Sequence, residues 1–117
     1  MHDFAYLRPR STDEAVQLLV QHQPRARYFA GGTTLFDLMK LGVEAPGTVI
    51  DITRIEGLAR IDASERHELR IGALAAMSDV AEHAVVMREF PALSESLWKA
   101  ASQQLRNMAT VGGNLLQ

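Results

Sequence analysis

Two glycine pairs are the residues of this chain best suited to hold a ligand. In Ala30-Gly31-Gly32-Thr33-Thr34, and again in Ala109-Thr110-Val111-Gly112-Gly113-Asn114, small residues flank a Gly-Gly step and hydroxyl or amide side chains stand beside it. Glycine allows dihedrals and close backbone approach that other residues resist. Several N–H groups can therefore point into one concavity and hold a phosphate without any lysine or arginine. The first pair leaves a strand-like run and enters a helix-like one, where N-terminal amides and threonine hydroxyls can add donors. In the second, Asn114 can donate from its side-chain amide. Gly-Gly pairs are also common in plain tight turns. Neither segment fits G-x-G-x-x-G or G-x-x-x-x-G-K-[ST], so the spacing supports neither a Rossmann dinucleotide fold nor a P-loop ATPase, and by itself it names no cofactor.

The remaining reactive side chains form no recognisable constellation. His2, His22, His67 and His83 are scattered without an H-x-x-x-H pair, which points to solvated surface and not to a metal site. No serine stands in G-x-S-x-G, so hydrolase chemistry is not indicated and no catalytic acid, base or nucleophile is assigned. With no cysteine in the chain, a disulfide framework or a cysteine-ligated zinc or iron–sulfur centre cannot be built from these residues. Arg8, Arg10, Arg25 and Arg106 read as surface or ion-pair residues. Arg27 gains weight from its place before the first glycine pair. Trp98, with Leu93 and Leu97 at helical spacing, is expected in the core.

The elements that must carry the glycine pairs follow from pattern. Phe4 to Leu7 reads as a short strand stopped by Pro9. Ser11 can cap a helix running to about His22, with Glu14 bonding back and Ala15, Leu18 and Leu19 on one face; Pro24 closes it. Arg27 to Ala30 is a strand, Leu35 to Leu41 a helix ended by Gly42, and Thr48 to Ile52 another strand, so the first half is β-α-β-α-β and should form a small mixed sheet. Beyond Gly57, Leu58 to Asp62 and Leu69 to Gly72 suggest a hairpin around the polar Ser64-Glu65-Arg66-His67-Glu68 turn. Helical segments are expected from an N-cap at Ser78, and from Pro91 to about Ser102. The final stretch opens a second glycine segment without a closing cap, which reads as a fragment or truncated product.

A length of 117 residues suits one domain or two small subdomains, and 47% apolar with 22% charged residues is ordinary for a folded globular chain. A formal net charge of -2 supplies no basic field for nucleic acid. No run is apolar enough to span a bilayer, and the N-terminus lacks a secretory signal. The expected location is the cytoplasm, with export alongside a signal-bearing partner as the alternative.

Phe29-Ala30-Gly31-Gly32-Thr33-Thr34-Leu35 followed by Asp37-Leu38-Met39-Lys40, and later Gln104 through Leu115, resemble the two flavin-loop signatures of the FAD-binding (medium) subunit of the molybdenum hydroxylases, the xanthine dehydrogenase, aldehyde oxidoreductase and carbon monoxide dehydrogenase type. Ile71-Gly72-Ala73-Leu74 and Ser78-Asp79 between them also match that family. The resemblance runs end to end but covers only the N-terminal part of such a subunit. It implies an α+β fold of the vanillyl-alcohol-oxidase type, with two small α/β subdomains at 1–55 and 56–117, the second incomplete, and FAD between them. It places Arg27, Tyr28, Phe29, Ala30, Gly31, Gly32, Thr33, Thr34 and Leu35 at the FAD pyrophosphate and ribityl region. Thr110, Val111, Gly112, Gly113 and Asn114 would close over the flavin. Some relatives have an aromatic residue where this chain has Ala100, and some carry a cysteine-ligated cluster just beyond the Leu115-Leu116-Gln117 ending.

The implied function is electron transfer from iron–sulfur clusters through FAD to an acceptor, within a complex whose large subunit carries molybdopterin and whose small subunit carries the clusters. The fragment alone is expected to be inactive, with the redox chemistry belonging to the flavin. Two other readings stand beside it: a truncated assembly or partner-binding module of the same fold that does not hold FAD alone, and a stand-alone anion- or nucleotide-binding domain. Substrate and acceptor are not legible.

Overall fold

The structure is a computed structural model that describes residues 1–64 and 67–117. The chain forms two compact units, Met1–Glu56 and Gly57–Gln117.

The first unit runs β1 (Ala5–Leu7), α1 (Thr12–His22), β2 (Ala26–Phe29), α2 (Leu35–Lys40) and β3 (Thr48–Asp51). Its three strands stand in the order β1-β3-β2 and every pairing is parallel, with Tyr6 and Arg27 both opposite Val49. The mixed sheet expected from sequence is thus corrected to a parallel one. Each strand-to-strand connection contains a helix, and a helical crossover returns the chain to the same end of the sheet. Central β3 is buried at all 4 residues, which is why it reads as an unbroken β-branched run and not as an alternating one. Helix α1 packs on β2 and β3 through buried Ala15. The Ser11 hydroxyl accepts from the Glu14 amide at 3.1 Å, as its cap position requires, while the Glu14 carboxylate accepts from the Arg10 amide, one residue before the cap.

The second unit holds a short hairpin, β4 (Ile61–Asp62) against β5 (Arg70–Ile71), followed by α3 (Met77–Glu82), α4 (Ala84–Glu89), α5 (Pro91–Lys99), α6 (Gln103–Met108) and α7 (Val111–Leu115). Backbone bonds from Gly72 to Arg60 and from Leu74 to Leu58 prolong the pairing beyond the strands. Of the expected polar turn, Glu65 and Arg66 lie outside the described residues; Ser64 bonds the Asp62 carboxylate through both its amide and its hydroxyl. Ala75, Met77, Val80, Ala81, Val86 and Leu97 form the core, with Phe90 and Leu93 packed against it.

Four expectations in this unit are corrected. Ser78 is not a cap: α3 begins at Met77 after Ala76, whose carbonyl accepts from the Val80 amide at 3.2 Å, so the amide that a Ser78 cap would serve is already bonded within the helix. Pro91 does open α5, but that helix ends at Lys99, Ala101 takes a left-handed φ of 54°, and Ser102 caps the new helix α6. Trp98 is 40% exposed and lies under the Arg106 guanidinium at 5.1 Å, since one residue beyond the buried Leu97 a helix has already turned by about 100° away from the core. His83 is half-buried at the α3–α4 junction, and among the described residues its Nδ1 has no partner.

Candidate functional site

Strand β2 delivers the chain to the first glycine pair at the C-terminal end of the sheet. There the Ile52 amide, just past β3, donates to the Phe29 carbonyl at 3.0 Å and pins the end of β2. Gly32 has φ +73°, and a Cβ at this position would lie 2.5 Å from the Phe29 ring, so both dihedral and space call for glycine. The segment is held from the far side by the Phe36 amide on the Gly32 carbonyl at 3.1 Å and the Leu38 amide on the Thr34 carbonyl at 3.0 Å. Among the described residues, the amides of Gly31, Gly32, Thr33, Thr34 and Leu35 donate to no protein acceptor, and Thr34 makes no side-chain cap bond. The result is a run of unpaired N–H donors beside two hydroxyls, the chemistry needed to hold phosphate oxygens. Because α2 is only 6 residues long, these donors, more than any helix dipole, make the segment attractive to an anion.

Arg27 and Tyr28 stand apart from those donors. The Arg27 guanidinium donates to the carbonyls of Pro24 (3.0 Å) and Ala26 (2.9 Å) and pairs with Glu44 at 3.2 Å, so the weight that Arg27 drew from its sequence position does not extend to its side chain. The Tyr28 hydroxyl donates to the Ala15 carbonyl at 3.1 Å, which joins β2 to α1. Ala30 continues the chain from β2 into the glycine pair.

The same sheet end carries a group that sequence reasoning missed. Asp51 is 3% exposed, yet its carboxylate accepts from the Thr53 amide (2.9 Å), the Thr53 hydroxyl (2.6 Å) and the Tyr6 hydroxyl, and pairs with Arg8 Nε at 3.2 Å. Burial pushes this carboxyl up, but the hydrogen bonds from Thr53 and Tyr6 and the charge of Arg8 outweigh burial and hold it below its ordinary value. The Tyr6 hydroxyl is in turn pushed up, first by that hydrogen bond to Asp51. The legible signal was an aspartate closing a β-branched run two residues before a threonine, an Asx-turn pattern.

The second glycine segment is not an open loop. Thr110 bridges Ala76, and Gly112 and Gly113 lie inside α7, which Thr110 caps by accepting from the Gly113 amide at 3.2 Å. The Val111 amide donates to Ala75 O (2.9 Å), Gly112 to Ala73 O (2.8 Å) and Asn114 to Thr110 O (2.9 Å). These amides are spent inside the fold, so this segment differs from the run of unpaired donors at residues 31–35. What this segment leaves outward is the side chain of exposed Asn114. Arg106 is buried and donates to the carbonyls of Ala100 (3.1 Å) and Ala101 (2.8 Å), so it braces the α5–α6 turn.

Residues 2–117 match the family described as the FAD binding domain in molybdopterin dehydrogenase. The chain belongs to that family. It is 46% identical over 117 residues to the aldehyde oxidoreductase FAD-binding subunit PaoB of Escherichia coli K12, covering 100% of this chain and 36% of that protein. It is 38% identical to the carbon monoxide dehydrogenase medium chain of Hydrogenophaga pseudoflava, over 96% of this chain and 39% of the other. Among solved structures, a carbon monoxide dehydrogenase from Hydrogenophaga pseudoflava superposes with a TM-score of 0.92 at 37% identity, over 97% of this chain and 39% of that one. Quinoline 2-oxidoreductase from Pseudomonas putida 86 superposes at 0.89 with 30% identity, over 97% and 39%. The chain thus has the α+β fold of this family and spans less than two fifths of the length of these relatives. No helix in the described residues is long and apolar enough to cross a membrane.

Proposed function

We propose that this chain is the N-terminal part of the FAD-binding medium subunit of a multisubunit molybdenum hydroxylase of aldehyde or xanthine type. In such a complex FAD passes electrons from the iron–sulfur clusters of a small subunit, reduced by a molybdopterin-bearing large subunit, to an acceptor. The observation that carries this reading is the run of unpaired amides from Gly31 to Leu35 in a chain of this family. Bound FAD would supply the redox chemistry; the chain would supply binding and orientation. The Gly31–Leu35 amides and the Thr33 and Thr34 hydroxyls would hold the pyrophosphate oxygens, with Phe29 and Ala30 as the support beneath. Arg27 and Tyr28 would contribute by fixing β2. In the second unit, Asn114 would contribute its exposed side-chain amide, with Thr110 as the cap and Val111, Gly112 and Gly113 as the backbone frame that presents it.

The test is flavin content and FAD affinity of the full-length gene product and of residues 1–117, by absorbance and equilibrium dialysis with FMN as competitor. Binding of FAD in preference to FMN, weakened by bulky replacement at Gly31, supports the reading. No flavin in the full-length product overturns it. Binding by the longer protein alone keeps the family function and leaves this part as an incomplete flavin domain.

A further inference from the structure

We infer that Asp51 is a positioning residue for the Gly31–Leu35 segment, a role that rests on the flavin reading above. A carboxylate buried at the end of a sheet's central strand is costly to desolvate, and replacing a buried ionic group by an apolar residue often stabilises a fold. Val49 and Ile50 beside it show that this strand otherwise fills its core with apolar side chains. What Asp51 contributes instead is geometry. One oxygen, Oδ1, takes both donors of Thr53 and so sets the turn that follows β3. The other, Oδ2, takes the Tyr6 hydroxyl and Arg8 Nε, tying that turn to the end of β1.

Between Asp51 and Thr53 lies Ile52, whose amide bonds the Phe29 carbonyl, and the Phe29 ring underlies Gly32. The path from carboxylate to glycine pair is therefore short and continuous: Asp51 orients the 51–53 turn, the turn fixes Phe29, and Phe29 sets where Gly31 and Gly32 present their amides. Both Asp51 oxygens are taken by Thr53, Tyr6 and Arg8, so Asp51 acts through other residues. An asparagine has nearly the same shape but lacks the charge for Arg8 and offers one acceptor atom where the carboxylate offers two.

The experiment compares FAD affinity and amide hydrogen exchange in full-length wild type, Asp51→Asn, and Val49→Ala, a core variant that loosens β3 without touching the carboxylate. Tyr6→Phe and Thr53→Val each remove one donor and serve if Asp51→Asn does not fold. The expected result is an FAD affinity lower by about tenfold in Asp51→Asn, the worth of one charge-assisted hydrogen bond. Faster exchange should appear selectively at Ile52, Phe36 and Leu38, whereas in Val49→Ala FAD affinity should hold and any faster exchange should spread over the sheet without singling out Phe36 and Leu38. Equal affinity in wild type and Asp51→Asn, or equal losses in Asp51→Asn and Val49→Ala, overturns the inference. If wild type takes up no FAD, the flavin reading fails; the exchange data then decide whether Asp51 positions the segment, since uniform acceleration across residues 1–56 removes its special role and acceleration confined to those three amides keeps it.

Discussion

Gly112 lies directly against Ala73: its amide donates to the Ala73 carbonyl at 2.8 Å, and a Cβ on it would come within 2.8 Å of both that oxygen and the Ala73 methyl. The second glycine pair therefore exists in large part to let two backbones meet.

Gly112→Ala should consequently destabilise the second unit by about 1–3 kcal/mol, the cost of forcing backbone apart in a packed region. Urea unfolding checks this without any flavin present. An unchanged midpoint combined with lost FAD binding would mean that the glycine serves the ligand and not the packing.

Gly32→Ala should cost about 1–2 kcal/mol for its left-handed φ, with a further loss as the Phe29 ring is displaced. Because the clash is with a side chain, Phe29→Leu in the same chain should recover part of the second loss and leave the first. A double-mutant cycle on thermal stability should give a coupling of about 1 kcal/mol; additive effects would contradict the contact.

Acid should loosen the first unit through Asp51. Its native value lies below the ordinary 3.8, so the unfolded chain takes up this proton first and the stabilisation, fully present above 3.8, is lost as pH falls through the lower native value. Asp51→Asn should be less stable at neutral pH and lack that acid step. Because Asp62 in the second unit is also held low by Ser64, the step is best followed by residue-resolved NMR of positions 1–56.

Arg106→Lys should destabilise the second unit by about 1–3 kcal/mol, since a lysine cannot reproduce the planar fork on Ala100 and Ala101 or its stacking on Trp98. Trp98 is the only tryptophan, so its emission reports the change directly. An unaltered spectrum would show that the stacked pair does not persist in solution.

Local patterns were legible wherever neighbouring residues decide the outcome. Ser11 with Glu14, the stop after Leu41 at Gly42, Pro91 at the start of α5 and the β-α-β-α-β order all follow from short-range hydrogen bonding and dihedral preference, and the paired glycine signatures were enough to bring the family into view. The two glycine pairs looked alike in sequence because composition records only that a close approach is allowed. Tertiary structure decided what approaches each. Around Gly31 and Gly32 the amides of residues 31–35 find no acceptor among the described residues, whereas around Gly112 the carbonyls of Ala73 and Ala75 arrive from a distant part of the chain and take the same kind of donor. Long-range partners also moved the start of α3 from Ser78 to Met77 and buried the charge of Asp51. Each of these depends on which backbone groups and side chains the fold brings together, and a hydrogen bond across 30 or more positions leaves no spacing in the sequence to read.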